Sequence, residues 1–252
     1  MAKVAYKIYP TLLDAFEDYL ESYDIYERYY GRSDNPSISV DEFQEKQYKG
    51  LIDKINRVPF ESDAADRGTA FNEVIDCMVL YKNSEKMKIT KWYDNGSLCG
   101  VKASYNGKDF YFPMNLIKEV ASWYKGGLPQ QHIQAILPTS FGNVLLYGYI
   151  DYVMPLKTCD LKTTGQYWFG KFKNHWQHIV YPYALAQNGA DVRDFEYNIV
   201  EWRKTGYDLY NECYLFRPER DIPKLTNHCE EFIRFLQENR DKITDKKIFA
   251  EI

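Results

Sequence analysis

The sequence predicts an α/β fold: a central mixed β-sheet flanked by helices, with a helical N-terminal region and a β-rich insertion. Three observations carry this. Apolar residues recur at helical spacing through much of the first 80 residues, including Leu12, Leu13, Phe16 and Leu20. Two Asn-Gly pairs, Asn95-Gly96 and Asn106-Gly107, mark hairpins over residues 83–113. From residue 131 onward, apolar-rich runs of strand length are interrupted by one helical segment.

In order, residues 10–30 read as a helix opened by Pro10, and the Gly-, Asn- and Pro-bearing stretch 31–37 as a loop. Residues 40–55 form a second helix. A third helix covers about 62–81, capped by Ser62 or Asp63, with Phe71, Val74, Ile75 and Met78 on its apolar face. On that wheel Asn72 and Asp76 share a flank, and Glu73 falls opposite the apolar face. Gly68 in an early turn points to close approach of another backbone. A short helix spans 114–125. Strands follow at 132–140, 143–153 and 157–164, a helix at 172–187, two strands joined by a turn at 203–206, and a final helix at about 222–238. The charged tail after Asn239 reads as peripheral. All 252 residues fit one domain: 1–60 helical, 83–113 inserted, the core about 64–82 and 131–216, and 221–252 the closing helix and tail.

Composition narrows the function. No apolar run approaches the roughly 20 residues of a membrane span, and the first ten residues lack a signal-peptide core. Five cysteines without a Cys-x-x-Cys pair indicate reduced thiols in a cytoplasm, with no disulfide frame, zinc ribbon or iron–sulfur cluster. The net charge of −4 hides an uneven distribution. Residues 11–66 carry fourteen acids against six bases, whereas 154–190 carry Lys157, Lys162, Lys171 and Lys173 against Asp160 alone. The basic stretch follows directly on a pair of acids, where a phosphate backbone would approach.

That pair lies in Tyr147–Thr163, two strands joined by a short turn. Alternation turns Asp160 and Lys162 to one side and Leu161 to the core, and Ile150, Val153 and Leu156 indicate buried surroundings. Buried acids are costly without a charged partner. A divalent cation, Mg²⁺ or Mn²⁺, held by Asp151, Asp160 and the Leu161 carbonyl is the simplest one. Such an ion activates water, and Lys162 would orient that water or offset charge on a phosphoryl group. A structural Asp–Lys pair between strands is the plainer alternative.

The order Arg-Gly-Thr-Ala-Phe-Asn-Glu (67–73), Tyr-Gly-Tyr-Ile-Asp (147–151), Cys-Asp-Leu-Lys-Thr-Thr (159–164) and Gln-His-Ile-Val-Tyr (177–181) resembles the PD-(D/E)XK nuclease superfamily, particularly its RecB-like and phage-exonuclease branches. The resemblance covers about residues 67–181. It implies a restriction-endonuclease-like core with Asp151 as first strand acid, Asp160 and Lys162 as second acid and lysine, and Gln177 and Tyr181 beside the bound strand. Asn72 stands where RecB-like members carry a histidine ligand, and Glu73 is taken as the helix's catalytic and metal-binding contribution, with Asn72 as the other candidate. Lys171, Lys173 and Trp176 would contact DNA, with Tyr167 and Trp168 as further stacking surfaces; core packing is the other reading of these aromatics. The implied activity is a Mg²⁺- or Mn²⁺-dependent exonuclease working on linear DNA ends in recombination or repair. A single-strand annealing protein is the implied partner, and ring or trimer formation is common among relatives. A catalytically silent DNA-binding or assembly protein of the same fold, and a small-molecule phosphoesterase, remain the alternatives.

Overall fold

A computed structural model of the chain describes residues 3–31, 33 and 35–250; loop positions Arg32 and Asp34 and the outermost two residues at each end of the expected 1–252 domain lie outside these. The elements are β1 (Val4–Ile8), α1 (Pro10–Leu20), α2 (Ser22–Tyr29), α3 (Val40–Ile55), α4 (Asp63–Leu80), β2 (Lys88–Asp94), β3 (Ser97–Tyr105), β4 (Lys108–Pro113), α5 (Met114–Trp123), β5 (Leu128–Thr139), β6 (Gly142–Val153), β7 (Lys157–Thr164), α6 (Gln177–Gln187), β8 (Asp194–Trp202), β9 (Tyr207–Leu215) and α7 (Pro218–Glu238), closed by a 3₁₀ turn at Lys246–Phe249.

Six strands form a mixed sheet in the order β1-β6-β7-β8-β9, with β5 also on β6. Two apolar cores cover its faces. Alternate residues of β8 show the division: Phe195, Tyr197 and Ile199 join α1, α6 and α7, while Val200 joins α4 and α5. The central mixed sheet flanked by helices agrees with the α/β expectation.

The small antiparallel sheet β2-β3-β4 is the expected insertion. Both hairpin turns put two consecutive residues at positive φ, Asn95 and Gly96 at 47° and 80°, Asn106 and Gly107 at 49° and 75°. That is the type I′ requirement that Asn-Gly satisfies at least cost. The second turn docks on the start of α4: Lys108 Nζ lies 2.7 Å from both Asp63 and Asp66, and Asn106 donates to Asp66 at 2.9 Å.

Several boundaries differ from the sequence reading. β1, five residues long, is too short to register as a strand, yet its Ile8 is fully buried and it pairs in parallel with the start of β6. The helix expected over 10–30 breaks at Glu21, giving α1 and α2. The helix expected from Phe172 begins at Gln177, after a run of turns. Leu156 is not buried; it is 81% exposed in the β6–β7 turn. The tail after Asn239 is not peripheral either: Ile243, Ile248 and Phe249 enter the core beside β1, with Phe249 against Tyr6 at 6.1 Å.

Phe249→Ala should therefore lower unfolding free energy by about 3 kcal/mol in urea titrations, the usual cost of deleting a buried phenyl ring. A loss under about 1 kcal/mol would return the tail to the surface.

Candidate functional site

β6 is the longest-paired strand, and its two edges are used differently. β5 follows it from Gly142 to Val153. On the other edge β1 pairs with Asn143–Leu146, and β7 pairs only at Tyr152↔Cys159 and Val153↔Thr158. Continuing that register by one step would set Asp151 opposite Asp160, and there the ladder stops. Like charges directly opposed in a sheet are destabilising. The strands part instead, and Asp151 Oδ2 accepts the Leu161 N–H at 2.9 Å in place of a ladder carbonyl. A strand residue turns its N–H and C=O to the same side, so the Leu161 carbonyl faces this fork too.

Asp160 is buried, with Lys162 Nζ 2.7 Å from Oδ2. Gln177, the first residue of α6, holds both: its amide oxygen accepts from Lys162 Nζ at 2.6 Å, and its amide nitrogen donates to Asp160 Oδ1 at 2.5 Å. Tyr181, one turn on, is also buried and lies against Gly148. A Cβ at Gly148 would stand 3.0 and 3.1 Å from the Tyr181 ring and hydroxyl, so glycine is what admits the tyrosine here. Gln177 and Tyr181 thus support the carboxylates from below. Both side chains are buried.

Burial raises the Asp151 carboxyl well above the usual aspartate range, and Asp160 adds to this; Lys162 and the Leu161 N–H oppose it. Burial works against the Lys162 charge, but Asp160 beside it holds the ammonium above its ordinary value.

Helix α4 crosses these strands with Gly68, Asn72 and Asp76 in one line. A Cβ on Gly68 would come within 2.9 Å of Thr163 Oγ1, so the neighbour that approaches here is a side-chain hydroxyl and not the backbone that the sequence position suggested. Asp76 is buried and accepts a short hydrogen bond from the Tyr152 hydroxyl, next to Asp151. Burial raises its carboxyl, and its charge adds to the upward pressure on Asp151. Asn72 sits between these two positions, its Oδ1 buried without a hydrogen-bond partner.

Glu73 is elsewhere. It is 6% exposed, not solvated, and its carboxylate is occupied by Ser84 Oγ at 2.7 Å and Lys86 Nζ at 2.8 Å. Burial pushes it up, but the bonds from Lys86 and Ser84 outweigh this and hold it below the usual range. The helical wheel missed that residues 82–87 fold over this side of α4. Glu73 is therefore a structural ion pair, and the helix carboxylate coupled to the acid pair is Asp76. Among the described residues, no three His, Cys, Asp or Glu side chains come together as a metal-binding group.

A groove of about 920 Å³ adjoins the start of α6. One wall carries Lys171, Lys173 and Trp168, the other Asp14, Asp18 and Glu21 of α1 and its end. Lys173 is exposed, whereas Lys171 Nζ is held by Thr164 Oγ1 at 2.6 Å and the Gln166 carbonyl at 2.7 Å. Trp176 is not a stacking surface: it is 2% exposed and stacked on His228 at 4.0 Å. Tyr167 is tied to Glu212 through its hydroxyl at 2.8 Å. Trp168 is half-buried at the groove, with Tyr29 edge-on at 6.4 Å.

Asp14 escaped the sequence reading. It is buried, accepts the Trp176 N–H at 2.7 Å, and pairs with His175 at 3.3 Å. It thereby fixes the start of α6, immediately before Gln177. An acid beside Leu12, Leu13 and Phe16 on the helix's buried side was the available signal.

No family model matches the chain, and no curated protein does. Among solved structures, one described as "Crystal structure of SSO0001" aligns over 91% of this chain and 78% of its own, at 7% identity and a TM-score of 0.37. A likeness that loose carries no argument about fold or function.

The raised Asp151 carboxyl sets a pH dependence. Between the ordinary aspartate value near 4 and its raised folded value, Asp151 is protonated when folded and ionised when unfolded. Stability of the metal-free protein should therefore fall as pH rises through that window. Asp151→Asn, which keeps an oxygen for the Leu161 N–H, should flatten the fall and be the more stable protein at pH 7.5 in chelator. Parallel stability–pH curves for the two proteins would contradict the assignment.

Proposed function

We propose that the chain is a metal-dependent deoxyribonuclease with a PD-(D/E)XK core, hydrolysing phosphodiester bonds and acting from the ends of linear DNA. The observation that carries this reading is the fork, where two carboxylates are brought opposite each other, and a lysine beside the second is locked by a buried glutamine. For a purely structural ion pair, the opposed acid Asp151 and the open strand edge would have no use.

The fork fits a hard divalent cation by the chemistry of its donors. Mg²⁺ characteristically takes one or two carboxylates and completes its shell with water and substrate phosphate, so a third acid is not required. Asp151 and Asp160 would hold it, with the Leu161 carbonyl as a further oxygen. Asn72 Oδ1, on the helix that crosses these strands, is buried without a hydrogen-bond partner, whereas Asp160 Oδ2 has the Lys162 ammonium at 2.7 Å. Unpartnered buried oxygens are uncommon and call for a ligand. When bound, such a cation polarises a phosphoryl oxygen and acidifies water. Lys162 supplies a fixed positive charge at the point where negative charge develops on the phosphoryl group. Gln177 keeps that ammonium and the Asp160 carboxylate in register, and α6, anchored through Asp14, keeps Gln177 in place.

An open groove ahead of α6, lined by Lys171, Lys173 and Trp168 and not by the fork residues themselves, favours a polymer over a small-molecule substrate. Exonuclease action rests on the motif resemblance alone.

Wild type and Asp160→Asn should be compared on matched linear and covalently closed DNA with Mg²⁺ or Mn²⁺. Loss of linear DNA only, reduced by at least about 10³-fold in the variant and abolished by chelator, is the expected result. Cutting of both forms would keep the chemistry and replace the exonuclease with an endonuclease. A folded wild type inactive on both would leave a DNA-binding protein without catalysis.

A further inference from the structure

A second cleft, of about 680 Å³, opens at the far end of β7, between the start of α4 and the β8–β9 turn. Two of the cations that line it have no ion-pair partner among the described residues. Lys108 is shared between Asp63 and Asp66, each at 2.7 Å, and Asp109 pairs with Lys102 at 3.0 Å. Arg203 is shared between Glu201 at 2.9 Å and Asp208 at 2.7 Å. Arg67 and Lys204 remain. Neither makes an ion pair or hydrogen bond among the described residues.

Arg67 is half-buried, with its guanidinium carbon over the Trp202 ring, 3.8 Å from the centroid. Stacking leaves the edge of the guanidinium, where all its donors lie, without an acceptor. Burial lowers its value, the sign of a cation held partly out of water with no counter-charge. The Trp202 indole N–H is likewise buried without an acceptor. Thr163 lines the same cleft with a hydroxyl that has no hydrogen-bond partner among the described residues. Unused donors of these kinds around one cavity ask for a multidentate oxyanion.

We infer that this cleft binds a phosphate group, with Arg67 as its principal ligand and Lys204 and Thr163 assisting. Thr163 follows Lys162 directly and stands three residues from Asp160, on the order of 10 Å at strand rise. A backbone or terminal phosphate a few nucleotides from the fork could sit there, at about 3.4 Å of axial rise per nucleotide. That source rests on the nuclease reading; the anion site itself does not. The Arg67–Trp202 stack would hold the strand from the face of the sheet opposite Gln177, and so fix the register of the scissile bond.

The test is fluorescence anisotropy of labelled single-stranded and duplex DNA in chelator, where cleavage is silent. Wild type, Arg67→Gln, Arg67→Lys and Lys204→Gln would be titrated over a range of salt, with inorganic phosphate added to each protein in thermal melts. Arg67→Gln should weaken DNA binding at least roughly tenfold and lower the slope of log affinity against log salt by about 1. Arg67→Lys should recover part of the loss, and Lys204→Gln, on an exposed turn where folding is not at stake, should shift both readouts less in the same direction. If phosphate raises the melting temperature through Arg67 while DNA binding ignores it, the site stands and its ligand is a small phosphate. Unchanged affinity, slope and phosphate response in both glutamine variants would overturn the site. The two proposals separate cleanly: Arg67-dependent binding by a protein that cuts nothing removes only the nuclease, and cleavage by a protein whose DNA binding and phosphate response both ignore Arg67→Gln removes only the cleft.

Discussion

Two carboxylates cannot comfortably face each other across a β-ladder, and much of this molecule is arranged around the place where they nearly do. The β6–β7 ladder ends one step before Asp151 and Asp160 would pair, and the backbone donor freed by that ending is taken by Asp151 itself. The cost of keeping these acids out of water is offset on one side only, by Lys162 through Asp160 and by the Gln177 amide that binds both. Asp151 is left with a raised affinity for a proton. The neighbours of this pair read as the means of holding it still.

Those means come from distant parts of the chain. α1 contributes Asp14, which caps the start of α6; α6 contributes Gln177 and Tyr181; and β6 contributes Gly148, which makes room for Tyr181. On the other face, α4 brings Asp76 to Tyr152 and Gly68 to Thr163, while the inserted hairpin pins the start of α4 through Asp66. The insertion thus has a structural duty, steadying the helix that carries Arg67, Asn72 and Asp76. Both faces of the sheet converge on a few residues of β6 and β7.

Much of this was legible in the sequence. Strand alternation placed Asp160 and Lys162 together with Leu161 opposed, helical spacing grouped Gln177 with Tyr181 and Asn72 with Asp76, and Asn-Gly pairs located the hairpins. What stayed hidden depended on tertiary contacts that periodicity does not encode. Glu73 looked solvated because its cover, Ser84 and Lys86, belongs to the following loop. Trp176 looked available for stacking because its partner His228 lies 52 residues on. Gln177 and Tyr181 are both buried, which their spacing did not reveal. Asp14 and β1 gave signals too local to interpret, since each acquires meaning only from the α6 start and from β6.

The central claim is that the fork at Asp151 and Asp160 is a divalent-cation site. Anomalous diffraction from crystals soaked in Mn²⁺, collected for wild type and Asp151→Asn, tests it directly. A peak within carboxylate-ligand distance of both Asp151 and Asp160, about 2.0–2.3 Å, and lost in the variant, is expected. A Mn²⁺-saturated crystal with density at neither carboxylate, or a peak that survives the substitution unmoved, would contradict it.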